Sequence, residues 1–388
     1  MPIEVQLARV PAYPILNDRG IKKALDKRLI RLSTEISDDQ IQPGSLDARI
    51  GEVYVFDDES RIAISEQMSK ITSPIELDAY EAPRSVAKFY SDEKGKPIII
   101  PPRAFAEIYF HEKISFSITD FNLSYELRSS RGRLGLKPHS AYPRMEILHG
   151  IEIINDEHGM YAFPKVEVSN YVEVTNVNND NIILYGHDKF ANIFFNLQRR
   201  MRLDQGKAVW NPRMVKKLLP EFAKQNMITP EGYLIFKIGK EAKTFKRGKV
   251  IDTAHSIDDS FYDTHDLSKG YVLNTETPAI VQLTPNVALP ANLGIRLLHR
   301  IPFHSNMQQY GFAIADFNQV NAGWVDQGYK GAITAHPVYY MRPRLLREGD
   351  VFCFGMVYKF NTDSDRVYGT RNLGSHYQNS KGATTAKS

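Results

Sequence analysis

The stretch Leu127-Arg-Ser-Ser-Arg-Gly-Arg-Leu-Gly-Leu136 gathers two hydroxyls, three guanidinium groups and two glycines into ten residues. Hydroxyls, backbone N–H groups freed by glycine, and Arg forks are the groups that replace water around a polyphosphate. A solvated basic turn uses the same residue types, so the stretch alone leaves both readings open. A second constellation is Asn321-Ala-Gly-Trp-Val-Asp-Gln-Gly-Tyr-Lys-Gly331. Its apolar-Asp-x-Gly-Tyr-x-Gly pattern predicts a β-hairpin, with Gly328 and Gly331 free to take positive φ. The Asp326 carboxylate and the Tyr329 ring then stand at the tip. Backbone amides there can read a base edge while the ring packs on a sugar; a plain tight hairpin is the alternative.

A third candidate is Glu173, in Val172-Glu-Val-Thr-Asn176. On a water-facing strand position it is unremarkable; facing inward, desolvation raises its pKa and suits it to move protons. The tail from Tyr368 to Ser388 holds few apolar groups but many Gly, hydroxyl, amide and Lys groups. That composition predicts a segment unable to build a core, mobile when free and able to close over a phosphate ligand. The run from Asp252 to Asp266 is rich in Asp and His, but its spacing fits no metal-site pattern and reads as a solvated acidic loop. Gln198-Arg-Arg-Met-Arg202 reads as a charged face. Walker A, GxSxG, HExxH and GxGxxG patterns are absent from the sequence.

The elements that must position these residues are mostly strands. A helix over 17–28, entered through Asn17 or Asp18, precedes Gln42-Pro-Gly-Ser-Leu-Asp-Ala-Arg-Ile-Gly51 and a strand at Val53–Phe56. From Ile98 onward, short β-type runs are broken by turn residues about every ten positions, the rhythm of an all-β barrel or sandwich. Residues 205–229 change character, with a helical period limited at Pro220, and read as the connection between two domains, 1–204 and 230–388. Gly186–Phe195 overlays Gly349–Tyr358 without a gap, which suggests a duplicated β domain.

The bulk numbers bound the function. At 388 residues the chain is long enough for two cores, and a net charge of +4 suits a small anionic ligand better than a nucleic-acid-coating surface. No apolar run is long enough to span a membrane, and the N-terminus has no secretory pattern, so the cytoplasm is the expected compartment. The single cysteine, Cys353, lies in an apolar run and reads as a buried, inert thiol.

On these blocks the chain resembles the dCTP deaminase branch of the dUTPase-like superfamily, in its long two-domain form. The matching residues are Pro43–Gly51, Arg128–Leu136, Val325–Gly331, and the closing Tyr377, Gln378, Gly382 and Thr384. The resemblance implies a mainly β fold of two tandem dUTPase-like β-barrel domains (β-clip type) with a few short helices. It also implies a homo-oligomer, most simply a trimer, with sites formed between neighbouring barrels.

The halves have kept different parts. Arg300-Ile-Pro-Phe stands where the first half has Arg128-Ser-Ser-Arg, and Ser140-Ala-Tyr-Pro-Arg-Met-Glu stands where the second half has its Asp-x-Gly-Tyr block. The family's usual Lys before Tyr-Gln is His376 here, and its usual hairpin Pro is Gln327. The resemblance assigns Arg128, Ser129, Ser130, Arg133, Asp326, Tyr329, Tyr377 and Gln378 to binding of a deoxynucleoside triphosphate, with Mg²⁺ carried on the phosphates. By the same alignment Glu173 is the catalytic acid of a hydrolytic, zinc-independent deamination of dCTP, and His336 takes its place in the second half, marking a dead equivalent site. One cysteine cannot supply the His/Cys cluster of zinc deaminases. A dUTP pyrophosphatase, a bifunctional enzyme and an inactive nucleotide-binding relative are the alternatives.

Overall fold

The protein is described here by a computed structural model covering residues 13–68, 84–117, 120–139, 143–156, 159–198, 201–275, 277–298, 323–336, 343–370, 373 and 377–386. Side chains are described for all of these except 61, 67–68, 143–156 and 159–170. Of the residues discussed above, 140–142, 199–200, 300–303, 321–322, 371–372, 374–376 and 387–388 lie outside that set.

The fold is mainly β, with a few short helices. Helix Asp18–Asp26 begins where Asn17 accepts a hydrogen bond from the Gly20 N–H at 2.9 Å, the expected N-cap. Strands such as Phe105–Phe110 bury every second residue, as a half-covered sheet requires. Val351–Phe360 is different: it is buried on both faces, which explains its unbroken apolar run and the full burial of Cys353. Burial also pushes the Cys353 thiol far up, so it stays protonated.

The internal overlay falls on two strands with matching neighbours. Lys189–Leu197 pairs antiparallel with Phe121–Leu127, and Val351–Phe360 pairs antiparallel with Leu293–Leu298. Each forms the spine of its half. The sheets do not close into barrels; one 19-stranded system runs through both halves. Strand Gln205–Ala208 stitches them, pairing with Ile15–Leu16 on one side and Phe360–Tyr358 on the other. The helical segment after it breaks at Leu219, giving Pro212–Leu218 and Pro220–Lys224, because Pro220 cannot continue the first helix.

Two apolar cores lie beneath these sheets, and each borrows from the other half. The first takes in Ile251, Ile257, Tyr262 and Ile280, and the second takes in Ile15 and Phe194. Packing of this kind fixes the halves against each other. The surfaces between them are therefore defined well enough to build a site.

Candidate active site

The Arg128–Gly135 loop is held at both ends. The ladder between Lys189–Leu197 and Leu46–Phe56 skips a residue between Lys189 and Ala191, leaving Phe190 bulged. The Phe190 carbonyl accepts the Arg128 N–H at 3.0 Å, which starts the loop. One helical turn, Ser129–Gly132, follows. Gly135 then takes φ of +79°, where a Cβ would stand 2.6 Å from the Asn178 side chain. Arg131 points away from the loop's concave side, onto Asp188 at 3.0 Å and the Lys189 carbonyl at 3.1 Å. It is a brace. Arg128 reaches toward buried Asp47 at 3.6 Å.

The expected hairpin is not one. Trp324–Val325 pairs with Ile295–Arg296, whereas Lys330–Gly331 pairs with Val287–Ala288. Between them the Tyr329 N–H closes a four-residue turn onto the Asp326 carbonyl at 3.2 Å, with Gly328 at φ +83° in its third position. Positive φ there is the type II arrangement, which splays the arms instead of twisting them together as hairpin turns do. Gln327, buried at the turn, donates to the Pro43 carbonyl at 3.1 Å. A proline could not make that bond, so this residue ties the Asp326–Tyr329 turn to the first half's Pro43–Gly51 block. That block acts as a seat: a Cβ on Gly44 would press on the Trp324 ring at 3.0 Å.

The tail departs from its expected mobility by docking on the same turn. Gln378 donates to the Gly328 carbonyl at 3.1 Å and accepts the Lys330 N–H at 2.9 Å. Gly331 and Ser380 form a parallel bridge, and Tyr377, Ala383 and Ala386 are buried. Composition missed this because a few apolar residues, Tyr377, Ala383 and Ala386, join the cores while backbone pairing holds the rest.

These pieces enclose one cleft of about 580 Å³, counted out to open solvent. Ser129 and Arg133 from the first half line it together with Asp326, Tyr329 and Tyr377 from the second. The Arg133 guanidinium lies 3.6 Å from the Tyr377 ring centroid, and its Nε and Nη1 have no protein partner. Arg128 lies behind this wall against Asp47, and Gln378 holds the turn from outside. Ser130, on the same helical turn, is not among the lining residues.

Asp326 reaches into the cleft with protein on its other sides. Burial pushes its carboxyl up to about 7, the Asp47 charge adds to the rise, and the Trp324 indole N–H at 3.1 Å opposes it. Glu126, Asn192, Trp324, Thr334 and Tyr368 also line the cleft, and the sequence alone assigned none of them a binding role of its own. Burial raises the Glu126 pKa against the pull of Arg296, 3.5 Å away.

Glu173 does not line this cleft. It lies on the outward side of its strand, paired across from Glu107, and burial together with that neighbouring carboxylate raises its pKa. The position that alignment gave to its counterpart is instead close by. His336 follows Thr334 by two, so both share one face of the strand, and Arg133 is its charged neighbour. Both ring nitrogens are buried and without a protein partner, and burial holds the imidazole far below its usual range and therefore neutral. His336 itself is buried and, like Glu173, is not among the residues that line the cleft.

No family model matches the chain. It is similar to a protein of Methanosphaera stadtmanae described as "dCTP deaminase, dUMP-forming", 27% identical over 183 residues, which is 47% of this chain and 78% of that protein. Its fold resembles the crystal structure of 2′-deoxycytidine 5′-triphosphate deaminase from Agrobacterium tumefaciens, with a TM-score of 0.61 at 13% identity, over 91% of this chain and all of the other. The sequence similarity and the shared fold together support a dCTP deaminase-like family for this chain.

Proposed function

We propose that the cleft binds a deoxynucleoside triphosphate and that the chain hydrolyses dCTP to dUTP and ammonia in the cytoplasm. The observation that carries this reading is the meeting of Ser129 and Arg133 with Asp326, Tyr329 and Tyr377 in a single chain. Ser129 and the free edge of Arg133 suit phosphate oxygens. Asp326 would accept from the 3′-hydroxyl, and the Tyr329 ring would fill the space a 2′-hydroxyl needs. Because Asp326, Glu126 and Asp47 already crowd this side, a triphosphate would bring Mg²⁺ as its own counter-charge. Each chain supplies both walls of this cleft, whatever assembly the chains form; a homotrimer remains part of the proposal.

Deamination needs a group that takes a proton from water and returns it to the departing amine. We assign that task to His336 in place of Glu173. Water adds to C4 as its proton passes through the neutral imidazole to N3. The imidazole then carries the proton of the new C4 hydroxyl to the amine, so that the C4–N bond breaks, C4=O forms and ammonia leaves.

Pyrophosphate release from dUTP is the second reading. It is favoured by Asp326, whose pKa of about 7 leaves it part-ionised at neutral pH and able to activate water. Incubation with dCTP or dUTP and Mg²⁺, following ammonia and pyrophosphate, separates the cases. Ammonia from dCTP supports the first reading and pyrophosphate from dUTP the second. Binding with neither product leaves an inactive relative. His336→Gln should cut ammonia release by about 10²–10⁴ with dCTP binding kept, while Glu173→Gln should leave it unchanged. The opposite pattern returns the role to Glu173.

A further inference from the structure

Away from the cleft, three side chains from distant parts of the chain point at one spot. Asp92 comes from the turn before strand Pro97–Ile100, His111 from the end of strand Phe105–Phe110, and His187 from the turn after strand Ile182–Tyr185. The Asp92 carboxylate is shared: Oδ2 lies 2.8 Å from His111 Nδ1, and Oδ1 lies 2.6 Å from His187 Nε2. The two imidazole rings are 4.0 Å apart between centroids. All three ligand atoms fall within 4.8 Å of one another, the only such group of His, Cys, Asp or Glu among the described residues.

The backbone holds this geometry. The His111 N–H donates to the Arg49 carbonyl and the His187 N–H to the Ile50 carbonyl, both at 2.9 Å. Both histidines therefore hang from consecutive residues of one buried strand. His187 sits at φ +65°, a conformation that costs a non-glycine residue free energy and aims its ring back at Asp92. The Asp92 turn is tied to the same place, since the Gly95 N–H donates to the Gly186 carbonyl at 2.9 Å. The imidazoles are 19% and 17% exposed and the carboxylate 36%, so an ion can enter from solvent and keep water on its open side.

We propose that Asp92, His111 and His187 bind one first-row divalent transition ion, with zinc the best fit. Two imidazole nitrogens and one carboxylate oxygen suit zinc, cobalt or nickel and are a poor set for Mg²⁺ or Ca²⁺, which prefer all-oxygen shells. A tetrahedral ion with bonds of about 2.0–2.1 Å sits between atoms now linked through shared protons, after the carboxylate and the imidazoles separate by about half an ångström or slightly more. Binding displaces those protons and completes the shell with water. The site lies one residue from Asp188, the brace of Arg131. An ion there stiffens the turn from which the Arg128–Gly135 loop is held. Its role is to support that loop, and it takes no part in the chemistry of the cleft.

The test uses the full chain stripped with chelator and titrated with zinc alone by calorimetry, and with cobalt alone by visible absorption. The expected result is one equivalent bound, a cobalt spectrum with tetrahedral ligand-field bands, and a raised melting temperature on adding zinc. His111→Ala and Asp92→Asn should each lose at least tenfold in affinity and the zinc-dependent melting shift. His187→Asn tolerates the left-handed backbone and should do the same without unfolding the turn. Absence of stoichiometric binding to the parent chain, or affinity unchanged in all three variants, overturns the proposal. Because none of these readouts uses a nucleotide, failure here and failure of the proposed deamination are distinguishable.

Discussion

Replacing Asp326 by Asn tests the electrostatics of the cleft while keeping its shape, since Asn Oδ1 can still accept from the Trp324 indole. The Asp326 carboxyl is raised from 3.8 to about 7, first by burial and then by Asp47. At about 1.36 kcal/mol per unit, that rise corresponds to about 2–4 kcal/mol once water in the open cleft screens part of it. The folded state therefore holds a proton that the unfolded chain has already lost between about pH 4 and pH 7. Stability tied to this group is present below the unfolded pKa, falls as pH rises through that window, and stays low above it. Asn has no proton to lose. Urea unfolding of the nucleotide-free protein should give Asp326→Asn and parent chains of similar stability near pH 4.5. At pH 8 the variant should be the more stable by about 2–4 kcal/mol, with an unchanged m-value. A difference that does not vary with pH, or a variant less stable at pH 8, would refute the assignment of Asp326 as a desolvated acid.

Three further substitutions probe how the cleft is held. Gly328→Ala places a Cβ 2.8 Å from the Val367 Cβ at φ +83° and should cost about 1–3 kcal/mol in thermal unfolding. Nucleotide affinity should fall with it, since Tyr329 rides on that turn. Asp188→Ala removes the carboxylate 3.0 Å from Arg131 and should weaken dCTP binding by about tenfold or more in calorimetry, although Asp188 itself does not line the cleft. Gln327→Ala deletes the bond to the Pro43 carbonyl and should cost about 0.5–2 kcal/mol in urea.

Much of this was legible from residue types. The Arg128–Leu136 block reads as a single turn able to present hydroxyl, guanidinium and glycine together because they fall at adjacent positions, and the structure has that turn at Ser129–Gly132. Asn17 reads as a cap for the same local reason. The missed features depend on distant partners. Nothing near Glu126 or Asn192 marks a cleft wall until the spine strand Lys189–Leu197 lies beside Phe121–Leu127. Asp92, His111 and His187 are invisible as a group because the sheet brings them together from across the first half. The turn type at Asp326–Tyr329 was misread because Asp-x-Gly-Tyr suits both hairpin and type II geometry; which strands lie alongside decides between them.

Glu173 and its second-half counterpart His336 differ in surroundings because of a symmetry that the fold does not keep. Tyr171, Glu173 and Thr175 present one face of their strand, as Thr334 and His336 do in the second half. In the second half that face is covered by Arg133 and Tyr377, which makes it a cleft wall. In the first half the corresponding face is filled from its own side: Arg84 lies 5.0 Å from the centroids of both Tyr54 and Tyr109 and pairs with Glu107 at 3.2 Å. A resident arginine there takes up the carboxylate charge and covers the aromatic surface that a base would otherwise occupy. The two halves can therefore carry the same strand pattern and only one of them border the cleft. Which one is set by the half that contributes a free guanidinium across the divide, and that half is the first, through Arg133.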